Sequence, residues 1–372
     1  MTLPPILTRD TEIADLAADL AAEQVIAVDL EADSMHNYRE KICLLQFSTP
    51  QTTVLVDPLA GGDLAPLGRV LGDASIRKLF HAADYDIRCL RRDFGWQVNG
   101  LFDTMVSCQF LGEEKFGLAD VLLKYYGVEL DKQFQRADWS QRPLSEGMVR
   151  YAAADTAHLH RLGEQLEARL DEAGRRDWLA EEFELLEQVS FQEHDGPMFL
   201  RFKGAGALER RQLALLELLL QWRDNEAQRR DRPPFKVLGN KSLLAMAQHA
   251  PRTVQGLVAL EGISPRVAER YGTALLKAIE QGLAIPEHEL PRFPRGERRR
   301  RDPKAEGRLK LLKAWRTEIA AELAIDSGVL INNAQLERLA HNPAESVAEL
   351  PGLKQWQRRE FGVSLLELLS TA

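Results

Sequence analysis

At 372 residues, 45% hydrophobic and 28% charged, the chain exceeds what one hydrophobic core ordinarily spans and is expected to form two or three domains. No apolar run approaches the roughly 18 residues of a membrane span, and the N-terminus lacks the basic and long apolar regions of a signal peptide, so a cytoplasmic protein with no membrane partner is expected. The net charge of −8 is unevenly divided: residues 1–200 carry 19 Lys and Arg against 35 Asp and Glu, whereas residues 201–372 carry 29 against 21. An acidic half suits a site that collects cations and a basic half suits a polyanion, although plain surface solvation would give the same asymmetry.

A helix is predicted over residues 11–22, then an apolar strand over 25–28 and β-branched strands over 42–47 and 53–56, which read as an antiparallel meander. A helix near 64–71, a strand at 77–80, a helix over 83–94 and a short strand at Leu101-Phe102 follow, giving an α/β pattern with a mixed sheet. From Thr104 to about Leu186 the period is helical almost throughout, including residues 145–170. Cys43, Cys89 and Cys108 have no C-x-x-C spacing and read as reduced, buried thiols.

The helical period stops around Asp195-Gly196-Pro197 and again at Lys203 to Gly206, where a domain boundary is expected. Beyond it the sequence repeats at an offset of about 90 residues. Trp222-Arg223 corresponds to Trp315-Arg316, Leu238-Gly239-Asn240 to Leu330-Ile331-Asn332, Gly262 to Gly352, and Tyr271-Gly272 to Phe361-Gly362, so two copies of one small helical domain are expected. Prolines at 286, 291, 294 and 303 and the run Arg298, Arg299, Arg300, Arg301 mark a basic linker, which reads equally as a solvated tether or as a phosphate contact.

Asp29 and Glu31 stand two apart at the end of an apolar strand, so both side chains project from one face. Burying two like charges together is costly unless a cation joins them. Asp86 falls in the first turn of the helix after the 77–80 strand, where a carboxylate is favoured by the helix dipole; the alternative is that Asp84 or Asp86 is no more than a helix cap. Tyr151 and Asp155 are four apart on a helix and share a face, an arrangement equally available to a core tyrosine and a surface carboxylate. Oxygen donors of this kind favour Mg²⁺ or Mn²⁺ over zinc.

Together these segments resemble the family of 3′-to-5′ exonucleases with four acidic residues and a tyrosine, the DEDDy branch of the ribonuclease H-like fold, over about residues 20–190. Asp29 and Glu31 match its first motif, Asp86 its second, and Tyr151 and Asp155 its third. The C-terminal repeats resemble the helicase-and-RNase-D C-terminal (HRDC) domain, and an exonuclease followed by two such modules is the layout of the bacterial RNase D family. The expected division is an exonuclease domain over 1–195, a first HRDC domain over 208–284, a basic Pro-rich linker over 285–303 and a second HRDC-like domain over 304–372.

The resemblance implies a phosphodiester hydrolase that releases 5′-mononucleotides from the free 3′ end of RNA, with tRNA precursors and other small RNAs as substrates. Two divalent cations would be held by Asp29, Glu31, Asp86 and Asp155, with Asp29 shared between them and Tyr151 orienting the attacking water. Gln46, Phe47 and His81 are candidate walls of the terminal-nucleotide pocket. Arg229, Arg230, Arg232, Phe235 and Lys236 form a basic stretch with one aromatic, suited to phosphates and a stacked base or to a solvated loop. A DNA exonuclease and a catalytically silent RNA-binding protein are the rival readings. The second repeat, with Trp356 and Gln357-Arg358-Arg359 where the first has Ser264-Pro265-Arg266, is expected to serve packing more than RNA.

Overall fold

The computed structural model describes residues 3–192, 195–294 and 302–370. Among the described residues the chain gathers into two compact units, one of Met1–Ala32, Ile42–Phe191 and Arg299–Ala372, the other of Asp33–Lys41 and Gln192–Arg298.

In the first unit, β1 (Ile6–Leu7), β2 (Val25–Ala32), β3 (Ile42–Ser48), β4 (Thr53–Val56), β5 (Arg77–Phe80) and β6 (Leu101–Asp103) form a sheet in the order β1-β4-β3-β2-β5-β6. The β2-β3-β4 meander is antiparallel, while β1 joins β4, and β5 and β6 extend the sheet from β2, in parallel. The mixed α/β layer expected from the sequence is thus present. β1 escaped sequence reading because two residues carry no period; it is visible only through its pairing with β4.

Among the described residues eight helices accompany this sheet: α1 (Asp10–Ala21), α2 (Ala65–Gly72), α3 (Asp84–Phe94), α4 (Thr104–Phe110), α5 (Leu118–Tyr126), α6 (Glu146–Ala157), α7 (Leu159–Glu172) and α8 (Arg176–Glu187). β3 is buried along its whole length because α6 lies over one face and the main core covers the other. Two departures from the predicted helical run follow from tertiary contacts. The chain between α5 and α6 is irregular, held by Arg142, whose guanidinium donates to both Asp57 carboxylate oxygens at 2.6 Å and to the Cys43 and Trp139 carbonyls. The predicted helix over 145–170 is divided at His158, since α6 packs on β2, β3 and β4 whereas α7 packs on β2, β5 and α4, and one straight rod cannot follow both.

The second unit contains α9 (Arg210–Arg229), α10 (Pro234–Val237), α11 (Asn240–His249), α12 (Val254–Val258) and α13 (Pro265–Ala284) around a Leu-rich core. The same succession recurs in the first unit as α14 (Pro303–Glu322), α15 (Ser327–Leu330), α16 (Asn333–His341) and α17 (Gln355–Ser370). The repeat extends to individual contacts. Arg223 donates to the Leu238 carbonyl as Arg316 does to that of Ile331, and Trp222 meets Tyr271 edge-on as Trp315 meets Phe361.

Where the copies differ, the second has become a packing element. Trp356, 1% exposed, stacks on Trp178 of α8 with centroids 4.9 Å apart and donates its indole N–H to Glu182 at 2.8 Å. The Glu181 carboxylate accepts the backbone N–H groups of Gln355 and Trp356, at 2.9 Å each, at the start of α17. Gly112 permits a further close approach: it has a positive φ of 73°, and any side chain there would collide with the Ala324 carbonyl. Replacing Trp356 with Ala is therefore expected to destabilise the protein by about 3–5 kcal/mol, the usual cost of deleting a buried large aromatic. Denaturant unfolding measures this, and a loss below about 1 kcal/mol would contradict the packing role.

Candidate active site

β2 delivers Asp29 and Glu31 from the face that α6 covers, and α6 presents Tyr151 and Asp155 one turn apart on its underside. Ser145 caps α6 by accepting the Met148 N–H at 3.2 Å, and a Ser48 to Thr156 hydroxyl contact of 2.7 Å fixes the helix over β3. Asp29, Glu31 and Asp155 each offer a carboxylate oxygen, and these atoms lie within 4.8 Å of one another. They line a cleft of about 390 Å³ together with His81, Tyr151 and, from the irregular chain before α6, Asp131, Lys132 and Gln135.

Asp86, in the first turn of α3 and 6% exposed, stands outside that set of three but acts on it electrostatically. Burial, then the charges of Asp86, Asp155 and Glu31, push Asp29 well above the usual carboxylate range. Glu31 is raised likewise by burial, Asp155 and Asp86. Burial lifts Asp155 to about 7. Asp86 also rises to about 7, through burial first and then Asp103 and Asp155, against the lowering effect of its own and the Leu30 backbone N–H groups. The Tyr151 phenol is driven upward by burial and by Asp155, Glu31 and Asp29, so it remains protonated. Its ring is framed by Phe134 and Trp139 at centroid distances of 6.1 and 6.0 Å.

The turn carrying His81 and leading to Asp86 is held by the β6-α4 junction. Asp103, 0% exposed, accepts the N–H groups of Ala82 at 3.1 Å and Ala83 at 2.7 Å while capping α4 through Met105 and Val106. Ala82 is in the left-handed region at φ 69°, uncommon for a residue with a Cβ, and the buried carboxylate offsets that cost. Thr104 donates to the Phe80 carbonyl and contacts His81 Nδ1, both at 2.9 Å. Burial pulls the His81 imidazole down to about 4, opposed by the Phe116 carbonyl, so the ring is neutral near pH 7. No local pattern in the sequence shows that Asp103 and Thr104 grip this turn.

The other sequence candidates separate in the structure. Gln46 lies directly across from Asp29 on β3, 0% exposed, with neither amide atom hydrogen-bonded. Phe47 is not a pocket wall: the period of two turns it to the opposite face, into the main core at 1% exposure. In the second unit Arg229 and Arg230 both pair with Glu226, holding its carboxyl at about 2. Arg232, Phe235 and Lys236 are exposed on the surface that follows. Arg298, Arg299, Arg300 and Arg301 lie outside the described residues.

Comparison with known proteins agrees with this geometry. A 3′-5′ exonuclease family model matches residues 4–171, and the HRDC domain model matches residues 212–279 and 305–369. Ribonuclease D of Gluconacetobacter diazotrophicus is 33% identical over 369 residues, 98% of this chain and 92% of that protein. The crystal structure of Escherichia coli RNase D, an exoribonuclease involved in structured RNA processing, covers 100% of this chain and 99% of its own at 29% identity and a TM-score of 0.75. The catalytic core of RRP6 from Trypanosoma brucei covers 76% of this chain and 81% of its own, with 29% identity and a TM-score of 0.66.

The raised carboxyls set the pH response of the metal-free protein. Asp86 and Asp155 titrate at about 7 when folded and near their ordinary values when unfolded, so the folded state binds more protons between those limits. The stability they contribute is present below about pH 4 and is lost as pH rises through about 7. In chelator the thermal midpoint should therefore fall between about pH 5 and about pH 8, and the fall should be smaller in Asp155→Asn. Calorimetry across that range reads the effect, and a flat profile in the unsubstituted protein would refute the electrostatic picture.

Proposed function

The chain belongs to the ribonuclease D family of 3′-to-5′ exoribonucleases, and we propose that its cleft releases 5′-mononucleotides from RNA 3′ ends with the aid of two divalent cations, acting on tRNA precursors and other small structured RNAs. The observation that carries the metal requirement is the carboxylate cluster. Asp29, Glu31 and Asp155 bring oxygens within 4.8 Å, and the described lining holds Asp120 and Asp131 as well against the single cation Lys132. A polyanion would be repelled from such a surface unless cations occupied it, and the all-oxygen donor set fits Mg²⁺ or Mn²⁺.

Asp29, Glu31 and Asp155 would hold the cations, with Asp86 contributing from the helix behind them. Bound there, divalent ions would acidify a water and stabilise the attacking and leaving oxygens of the phosphodiester. Tyr151 is too weak an acid to act as a base near neutral pH, so its part is to donate a hydrogen bond that orients the water. The Asp103 and Thr104 contacts keep Asp86 and His81 in register with β2. Arg232, Phe235 and Lys236 of the first helical module supply further phosphate and base contacts, in keeping with the involvement of the Escherichia coli enzyme in structured RNA processing.

Labelled single-stranded RNA and DNA incubated with Mg²⁺ test the reading. Asp29→Asn and Asp155→Asn should each lower nucleotide release by at least about 10²- to 10³-fold, as expected for loss of a group that stabilises transition-state charge. Tyr151→Phe should lower kcat by about 10²-fold with less effect on KM, because water positioning and not substrate binding is lost. Absence of metal-dependent mononucleotide release from RNA would overturn the proposal, and faster release from DNA would favour a DNA exonuclease.

A further inference from the structure

Packing alone does not account for Gln46. On β3 it stands directly across from Asp29, and facing side chains of an antiparallel pair have Cβ atoms about 4.5–5.5 Å apart. The alternation of the strand puts it on the side that α6 covers. Leu44, two residues before, belongs to the cluster that includes Val149 and Ala152 of α6, and Ser48, two residues after, meets Thr156 at 2.7 Å. Gln46 is closed in between them at 0% exposure, and neither Nε2 nor Oε1 has a hydrogen-bond partner among the described residues. It does not line the cleft, so a nucleotide held there is not what its amide meets.

A buried amide without partners is unfavourable, and a methionine of similar volume would fill the same space without that cost. The Trp139 indole N–H, buried in the same cluster and likewise unpaired, is a donor and suits only Oε1, so Nε2 still calls for an acceptor. On this side of the sheet the Ser48 hydroxyl already meets those of Thr53 and Thr156, and the main-chain carbonyls of β3 serve its ladders with β2 and β4. The carboxylates are left, and Asp29 is the one directly across. A buried carboxylate that holds a cation keeps lone pairs the cation does not take, and these need N–H donors. We propose that Gln46 Nε2 donates a hydrogen bond to the Asp29 carboxylate when Asp29 holds a divalent cation, which makes Gln46 a positioning residue acting through Asp29. The assignment rests on the reading of the carboxylate cluster as a cation site and is independent of which nucleic acid is cut.

The test uses the full-length protein with Mn²⁺ alone as the probe, its binding read by electron paramagnetic resonance without RNA. Gln46→Met keeps the shape and removes the amide. It should weaken Mn²⁺ binding by about tenfold or more, the usual cost of losing a group that supports a ligating carboxylate. In chelator its thermal midpoint should stay within about 2 °C of that of the unsubstituted protein or rise, because the amide has no protein partner to lose. On RNA with limiting Mg²⁺ it should lower kcat with little change in KM, and excess Mg²⁺ should restore the rate. In the unsubstituted protein the Gln46 side-chain amide protons should move downfield as Mg²⁺ is added, a reading that needs no variant to fold. A midpoint in chelator lowered by several degrees would overturn the proposal in favour of a packing role. Unaltered Mn²⁺ binding by Gln46→Met would overturn it too, as would amide protons that do not respond to Mg²⁺. In those two cases the cation site would stand if Asp29→Asn still lost Mn²⁺. No Mn²⁺ binding by the unsubstituted protein would instead remove the site on which both readings rest.

Discussion

Mutual repulsion within one carboxylate cluster is the constraint on which the rest of the catalytic unit depends. Two unit charges about 4 Å apart repel by about 4 kcal/mol at an effective dielectric of about 20, and Asp29, Glu31 and Asp155 bring oxygens within 4.8 Å of one another with Asp86 close enough to act on them. No local preference would gather these groups. They are held by the end of a central strand, by a helix docked across the sheet and by the first turn of another helix, and the surrounding core resists their separation. Protonation or a bound cation would relieve the repulsion, so the site's charge state and its stability are coupled.

Around the cluster, two polar side chains that do not line the cleft hold the backbone in place. Asp103 is buried, yet it accepts four backbone N–H groups, two in the His81 to Ala83 turn and two at the start of α4. One carboxylate thereby joins β5, α3, β6 and α4 and stabilises a left-handed alanine. Arg142 acts in a comparable way on the other side, tying the irregular chain before α6 to β3 and to Asp57 at the end of β4. Both devices replace a bulky apolar wedge with a directional contact, which suits a site whose geometry must be specified more tightly than apolar packing alone provides.

The duplicated helical modules show one architecture with two sets of packing contacts. Both keep the arginine that reaches the carbonyl between the second and third helices, and both keep an aromatic pair at the centre. In the first copy Ser264 caps α13 from within the module. In the second, the corresponding helix is capped by Glu181 of the catalytic domain, and Trp356 is buried on Trp178. The expectation that the second copy serves packing agrees with these contacts, and the signal for it was Trp356 and Gln357-Arg358-Arg359 in place of the Ser264-Pro265-Arg266 region of the first copy.

The sequence by itself determined the alternation of strands and helices and the internal repeat, and it offered Asp29, Glu31, Asp86, Tyr151 and Asp155 as candidates, because each rests on a local period or a short motif. It could place Asp29 with Glu31, and Tyr151 with Asp155, since spacing on one strand or helix fixes a shared face. Only the tertiary structure decided what lies beside them. Phe47 and Gln46 are neighbours in sequence, yet the pleat sends one into the core and the other across from Asp29. The break at His158 has no glycine or proline to announce it, because it answers to contacts with distant strands. Gly127 does end α5, but the path of the irregular segment beyond it is set by the reach of Arg142 to Asp57 and Cys43. The roles of Asp103 and Thr104, and through them the placement of His81, were likewise invisible, since a hydrogen bond between residues about twenty apart depends on how β5 and β6 pair, which no local pattern encodes.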